Sequence, residues 1–326
     1  MTTLRDTLEG QQVKIYFAAI GAAIVVALTV PGTTVLEAGI NPALAFMLFV
    51  TFLQVPLAQL GRAFARIRFL AALLATNFVV VPVLVAGLIQ FLPRNPMLLL
   101  GVLMVLLTPC IDYVVTFAQI GRADAKVLLA STPALLIAQM VLLPVYLTAF
   151  LGEDAATFVQ VGPFVHAFVW LIAVPLALAG AVQVWSGRSH VGRRVMAGFS
   201  LLPVPATALV LFVVIVAVLP QLGLALNEAL RVVPVYIAFA VAAPLIGWAV
   251  GRLFRLDVST CRTLAFSAAT RNSLVILPLA FAVPGAVPLL PTVIVTQTLV
   301  ELVSELIYIR LIPRLGTPTD IAVVDV

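Results

Sequence analysis

Four ionisable residues interrupt long apolar runs in this chain: Asp112, Arg271, Glu301 and Glu305. A charge at the centre of a membrane-spanning helix costs roughly 2.5–3.5 kcal/mol on insertion scales, so each must meet a partner or water. Asp112 closes the stretch Leu107-Thr108-Pro109-Cys110-Ile111-Asp112, and Arg271 sits in Ala269-Thr270-Arg271-Asn272-Ser273. The two have opposite charge and similar depth, which predicts that they face each other. Such a pair either holds two helices together or gates substrate and proton binding, because an aspartate whose cationic partner leaves changes its proton affinity. Asn272 and Ser273 add neutral polar groups to the same interruption.

Gln297, Glu301, Ser304, Glu305 and Tyr308 recur at i, i+4, i+7, i+8 and i+11, which is one face of a helix. In lipid that face must turn inward. Glu301 falls near mid-span, whereas Glu305 lies a turn nearer the end and is placed to pair with a basic residue there. Thr132, Gln139 and Asn77, together with Thr51 and Gln54, are uncharged and read more readily as interhelical hydrogen-bonding groups than as ligands. Cys110 reads either as a small apolar residue or as a soft ligand for a thiophilic solute. Cys110 and Asp112 are two apart and would not share a face of a regular helix. Pro109, which removes a backbone donor and clashes with the preceding turn, predicts a break that would let them share a cavity.

The elements that carry these residues must be membrane helices. Of 326 residues, 63% are hydrophobic and 10% charged, and the mean hydropathy is +1.22. Apolar runs of about 20 residues are the length that spans hydrocarbon. Ten such runs are expected, at roughly 14–31, 39–60, 69–92, 97–121, 126–151, 162–185, 198–220, 231–254, 262–283 and 287–312. Fifteen of the 18 Lys and Arg residues then fall on one side, while only Arg94 and Arg231 fall on the other, with Arg271 inside a span. Basic residues mark the cytoplasmic side, so both termini are expected in the cytoplasm and the chain in the inner (plasma) membrane. The polar residues 1–13 make a poor signal peptide. The pI near 9.7 reflects these loops rather than a nucleic-acid face.

Ten spans divide into halves of five, about 14–151 and 162–312, and an odd number per half inverts the second relative to the first. Leu48-Phe49-Val50 recurs as Leu211-Phe212-Val213, and Pro56, Gln59, Leu60 and Gly61 as Pro220, Gln221, Leu222 and Gly223. The polar interruptions fall in the fourth span of each half. Such a pairing is the best sequence pointer to a transporter's binding site. The expected fold is therefore an all-α polytopic membrane protein, a single transporter domain of two inverted five-helix repeats with broken, crossing fourth and ninth helices.

At Pro109-Cys110-Ile111-Asp112 and Ala265 through Ser273 the chain resembles the bile acid/sodium symporter superfamily and, within it, the arsenical-resistance permeases. The resemblance extends over nearly the whole chain. It implies a panel of helices one, two, six and seven beside a core of the other six, and a functional role for Cys110. Two departures stand out. Sodium-coupled members carry a carboxylate early in the ninth-helix interruption, where this chain has Ser267-Ala268-Ala269-Thr270-Arg271-Asn272. Arsenite permeases place a Glu soon after the Asn, where this chain has Leu274 and Val275.

The expected function is secondary active transport, with proton-linked efflux of arsenite or a related small oxyanion first. A small organic anion held by Arg271 is the alternative. The coupling ion is expected to be a proton rather than sodium. The candidate site comprises Cys110, Asp112, Arg271, Asn272, Ser273, Glu301, Thr132, Gln297 and Asn77. An enzyme would need clustered metal ligands or a Ser/His constellation, and two histidines without ligand spacing supply neither. No cofactor or resident metal is expected. The expected partners are the bilayer, the carried solute or ion and, at most, a second copy in a homodimer.

Overall fold

The computed structural model describes residues 4–54, 66–111, 113–152, 166, 169–222, 225–281, 283–286 and 288–316. Over these residues the chain is an all-α polytopic membrane protein. Seven helices are long and apolar enough to cross a bilayer. The principal elements are α1 (Leu4–Thr29), α2 (Glu37–Gln54), α3 (Ile67–Phe91), α4 (Pro96–Leu106), α5 (Val114–Ile120), α6 (Ala125–Leu151), α7 (Val174–Arg188), α8 (His190–Phe199), α9 (Pro203–Leu222), α10 (Leu226–Leu253), α11 (Val258–Ala269), α12 (Ser273–Phe281) and α13 (Leu289–Leu311).

Lipid-facing stripes follow helical periodicity. Ile137, Val141 and Val145 on α6 are exposed at four-residue spacing, as are Ile237, Val241 and Leu245 on α10. In water such contiguous apolar surface would drive association; in hydrocarbon it is the solvated face. By contrast, α4 is apolar all round, and Leu98 and Leu100 through Leu106 are buried. It is an interior helix.

Helix starts follow their sequence signals. Asn95 Oδ1 accepts the backbone N–H groups of Met97 and Leu98, with Pro96 in the first turn of α4. Asp124 and Asp257 cap α6 and α11 in the same way. These side chains satisfy donors that a helix start leaves without partners.

The helices form two packed groups. α1 and α2 pack on α9, and α7 packs on α2. The second group has α13 at its centre against α4, α10 and α12, with α11 laid along α10 and α5 against α6. Gly247 and Gly251 allow the α10–α11 approach: a Cβ on Gly247 would lie 2.5 Å from Leu264 O, and one on Gly251 2.9 Å from Cys261 Sγ.

Three features differ from the sequence expectation. α1 begins ten residues before the expected 14, because its polar first turns continue the helix beyond the apolar run. α3 carries a π turn at Thr76–Val80. A separate amphipathic helix, α8, occupies residues expected as a loop and the start of the seventh span, so that α9 begins at Pro203 rather than 198. The fourth and ninth spans are each broken into two helices, as expected: α4 and α5 flank the first break, and α11 and α12 flank 270–272.

Candidate functional site

The two breaks meet. Pro109 and Arg271 form an isolated antiparallel bridge. Cys110 N donates to Thr270 O at 3.0 Å and Asn272 N to Thr108 O at 2.8 Å. Buried backbone groups must find partners, and each interrupted helix here supplies the donors and acceptors that the other lacks.

The exchange leaves particular carbonyls without helical donors. Leu106 O would ordinarily accept Cys110 N–H, which instead goes to Thr270 O. Ser267 O and Ala268 O would accept the N–H groups of Arg271 and Asn272, which go to Glu301 Oε2 and Thr108 O. The fully buried Arg271 guanidinium turns to these same carbonyls. It donates to Ser267 O at 2.5 Å, Ala268 O at 2.7 Å and Leu106 O at 3.3 Å, and to Asn77 Oδ1 at 2.9 Å. Its Cζ lies 5.4 Å from the centre of the Phe239 ring. Asn77 is held in turn by its amide nitrogen, which donates to Leu73 O and Ser267 Oγ.

Two carboxyl groups on α13 reach the second break. Glu301 accepts Tyr113 Oη–H at 2.5 Å, Gln297 Nε2–H at 2.6 Å and Arg271 N–H at 2.7 Å. Three donors on one carboxyl suit its ionised, acceptor-only form. Glu305 Oε1 lies 2.6 Å from the Thr270 hydroxyl, which also reaches Phe266 O at 2.8 Å, and Oε2 meets no donor among the described residues. One hydroxyl proton cannot serve both acceptors fully, so Glu305 suits the protonated form. Carboxyl groups one turn apart in a dry interior do not both ionise readily.

Between the first helix group and the first break lies a cavity of about 430 Å³. Its polar wall includes Gln12 from α1, Thr51 and Gln54 from α2, Thr116 and Gln119 from α5, and Thr207 from α9. Ile111 and Tyr113 line the cavity at the break. The described lining contains no charged side chain. Thr116 Oγ1 donates to Gln12 Oε1 at 3.0 Å and ties α5 to α1 across it. Tyr113 therefore touches the cavity on one side and Glu301 on the other.

Residues 41–225, more than half of the chain, match the family model of the sodium bile acid symporter family. The chain belongs to that family. No curated protein matches it. The symporter-family match spans α2 through α9 and so includes the first break and most of the cavity wall; the second break, Glu301 and Glu305 lie beyond it.

In this symporter-family chain the expected site residues separate into distinct places. Arg271, Asn77, Glu301 and Gln297 form one buried network at the crossing. Cys110 is in the first break, buried, and absent from the cavity lining. Asn272 and Ser273 are buried in the second break, and their side-chain polar atoms have no hydrogen-bond partner among the described residues. Thr132 bonds back to Leu129 O at 2.8 Å on its own helix and does not line the cavity. Glu305 pairs with Thr270 rather than with the basic residue expected, because the face it shares with Glu301 points into the crossing. Asp112, the expected partner of Arg271, lies outside the described residues.

Sequence reasoning missed Tyr113, Gln12, Thr116, Gln119 and Thr207 as site residues, and it read Thr51 and Gln54 as helix-packing groups. Gln12 was hidden because the first span was started after it. Thr116 and Gln119 share the face of α5 that follows the Pro109 break, a periodicity that could have singled them out.

Proposed function

We propose that this chain is a proton-linked secondary transporter of a small polar solute that is uncharged when bound, with arsenious acid as the leading candidate. It would sit in the plasma membrane with both termini in the cytoplasm, as the distribution of basic residues supports. The observation that carries the reading is Tyr113, which lines a cavity with no charged side chain among its described walls while donating to the buried carboxylate of Glu301. A solute rich in hydroxyl groups would exchange hydrogen bonds with Gln12, Gln54, Thr116 and Gln119 without needing a counter-charge. A solute contacting Tyr113 perturbs the donor set of Glu301, and with it the proton affinity of that carboxylate.

The cavity lies toward the ends of α2 and α5 and the starts of α1 and α9, the end assigned to the cytoplasm. Loading from the cytoplasm and release outside, in exchange for an inward proton, is the efflux cycle this arrangement serves. A bound carboxylate would require a cation at the cavity. Arg271 is wholly buried, donates to carbonyl oxygens and Asn77, and is not in the lining.

The test is uptake by inside-out vesicles of arsenite, antimonite, acetate and pyruvate, with and without a proton gradient. Gradient-driven accumulation of the neutral hydroxides is expected. Accumulation of the carboxylates alone would overturn the reading.

A further inference from the structure

We propose that Arg271 is a tethered cation: its guanidinium fills a cradle of neutral oxygens that would otherwise take a monovalent cation from solution. This goes beyond the transport proposal and stands whatever solute is carried. The cradle has four oxygens from three segments. Leu106 O ends α4, Ser267 O and Ala268 O end α11, and Asn77 Oδ1 projects from the π turn of α3. Nη2 faces Ser267 O, Ala268 O and Asn77 Oδ1, sharing its two hydrogens among them, and Nη1 donates to Leu106 O, at 2.5–3.3 Å.

The electrostatics explain why a cation belongs there. Each helix C-terminus carries roughly half a negative charge. Two such ends, α4 and α11, meet at this point, which together call for roughly one positive charge. The crossing itself creates the demand, since it diverts the N–H groups that would have capped these carbonyls. Half-helix C-termini and unwound carbonyls are the groups with which transporters coordinate small cations. Here Arg271 supplies that charge on the end of its own side chain, from the residue whose backbone bridges to Pro109. Its backbone N–H serves Glu301, so a single residue joins the cation cradle to the carboxylate. A covalently attached cation neither leaves nor needs replenishing, so no external cation is required at this point of the cycle.

Emptying the cradle should therefore create a cation requirement. Purified Arg271→Ala protein is titrated with sodium, potassium and methylguanidinium chloride, with choline chloride holding ionic strength constant, and the thermal midpoint is recorded. Methylguanidinium is expected to raise it saturably, by roughly 5 °C at a hundredfold excess over its dissociation constant, and sodium to a smaller extent. Wild type and Arg271→Lys are expected to show no specific response. Asn77→Ala in the Arg271→Ala background should weaken the apparent cation affinity about tenfold. Arg271→Ala protein recovered only when methylguanidinium is present also supports the proposal. No response of a folded variant to any of the three cations, an equal response of wild type, or failure of every cation to recover an unfolded variant would overturn it. These readouts need no transported solute, so they are independent of the carrier assignment.

Discussion

The hydroxyl of Tyr113, 2.5 Å from Glu301 Oε1, joins the lining of the polar cavity to a carboxylate buried on α13. The same hydroxyl lies 3.4 Å from Arg271 O, within the second break. Removing it deletes one of the three donors to Glu301 and leaves the phenyl ring in place. A hydrogen bond to a charged group contributes about 1.5–3 kcal/mol. Tyr113→Phe is therefore expected to lower gradient-driven transport roughly tenfold or more and to lower the thermal midpoint by roughly a few degrees. Transport rates in vesicles and a melting curve on the same preparation check it.

Glu301 and Glu305 should respond differently to the same substitution. Glu301→Gln replaces an acceptor that serves three donors with a group carrying two N–H bonds of its own, which places donor against donor at Gln297, Tyr113 or Arg271 N. Loss of gradient-driven transport is expected. Glu305→Gln puts a neutral amide where one carboxyl oxygen already meets no donor. It is expected to retain at least roughly a third of the wild-type rate, since a neutral group suits that position. Equal loss in both variants would contradict the distinct states assigned to the two carboxyl groups.

Cys110 is buried in the first break while its neighbour Ile111 lines the cavity. Transport of a hydroxylated solute should therefore survive Cys110→Ala with less than about a fivefold change, the side chain being close to a small apolar group in volume. A loss confined to arsenite and antimonite, with other neutral solutes unaffected, would assign the thiol a direct ligand role.

The contact between α10 and α11 depends on Gly247, where an added Cβ would meet Leu264 O at 2.5 Å and Ala265 Cα at 2.9 Å. Backbone atoms cannot give way as a side-chain tip can. Gly247→Val is expected to destabilise the protein by about 1–3 kcal/mol or more, seen as a lower thermal midpoint and poorer yield. Gly87→Ala on α3 is the control, because nothing lies within 4 Å of its added Cβ. It should match or slightly exceed wild type, alanine being roughly 0.5–1 kcal/mol better than glycine within a helix.

The fold was legible where a single local signal decided the outcome. Apolar runs marked the spanning segments, and Pro109 beside polar neighbours marked the first break, whereas Pro133 and Pro144 in α6 and Pro234 and Pro244 in α10, without such neighbours on both sides, lie inside continuous helices. Polarity at Thr270-Arg271-Asn272 marked the second break, and the i, i+4 pattern turned Glu301 and Glu305 inward. What the sequence concealed depends on non-local contacts. The π turn at Thr76–Val80 carries Asn77, whose amide bonds to Ser267 and Arg271, partners 190 and 194 residues away. Arg271 was visible as a buried charge, but the carbonyls released by the crossing, to which its guanidinium donates, were not. The cavity wall was equally hidden. Gln12, Thr116 and Thr207 come from three distant segments and become a site only after the two helix groups pack.

The most direct measurement is proton movement during solute flux in sodium-free proteoliposomes that enclose a pH-sensitive dye. Imposing an arsenite gradient across wild-type proteoliposomes is predicted to move protons opposite to the solute, with the movement abolished in Glu301→Gln. Arsenite or carboxylate flux that requires sodium and carries no proton, or proton movement undiminished in Glu301→Gln, would contradict the account.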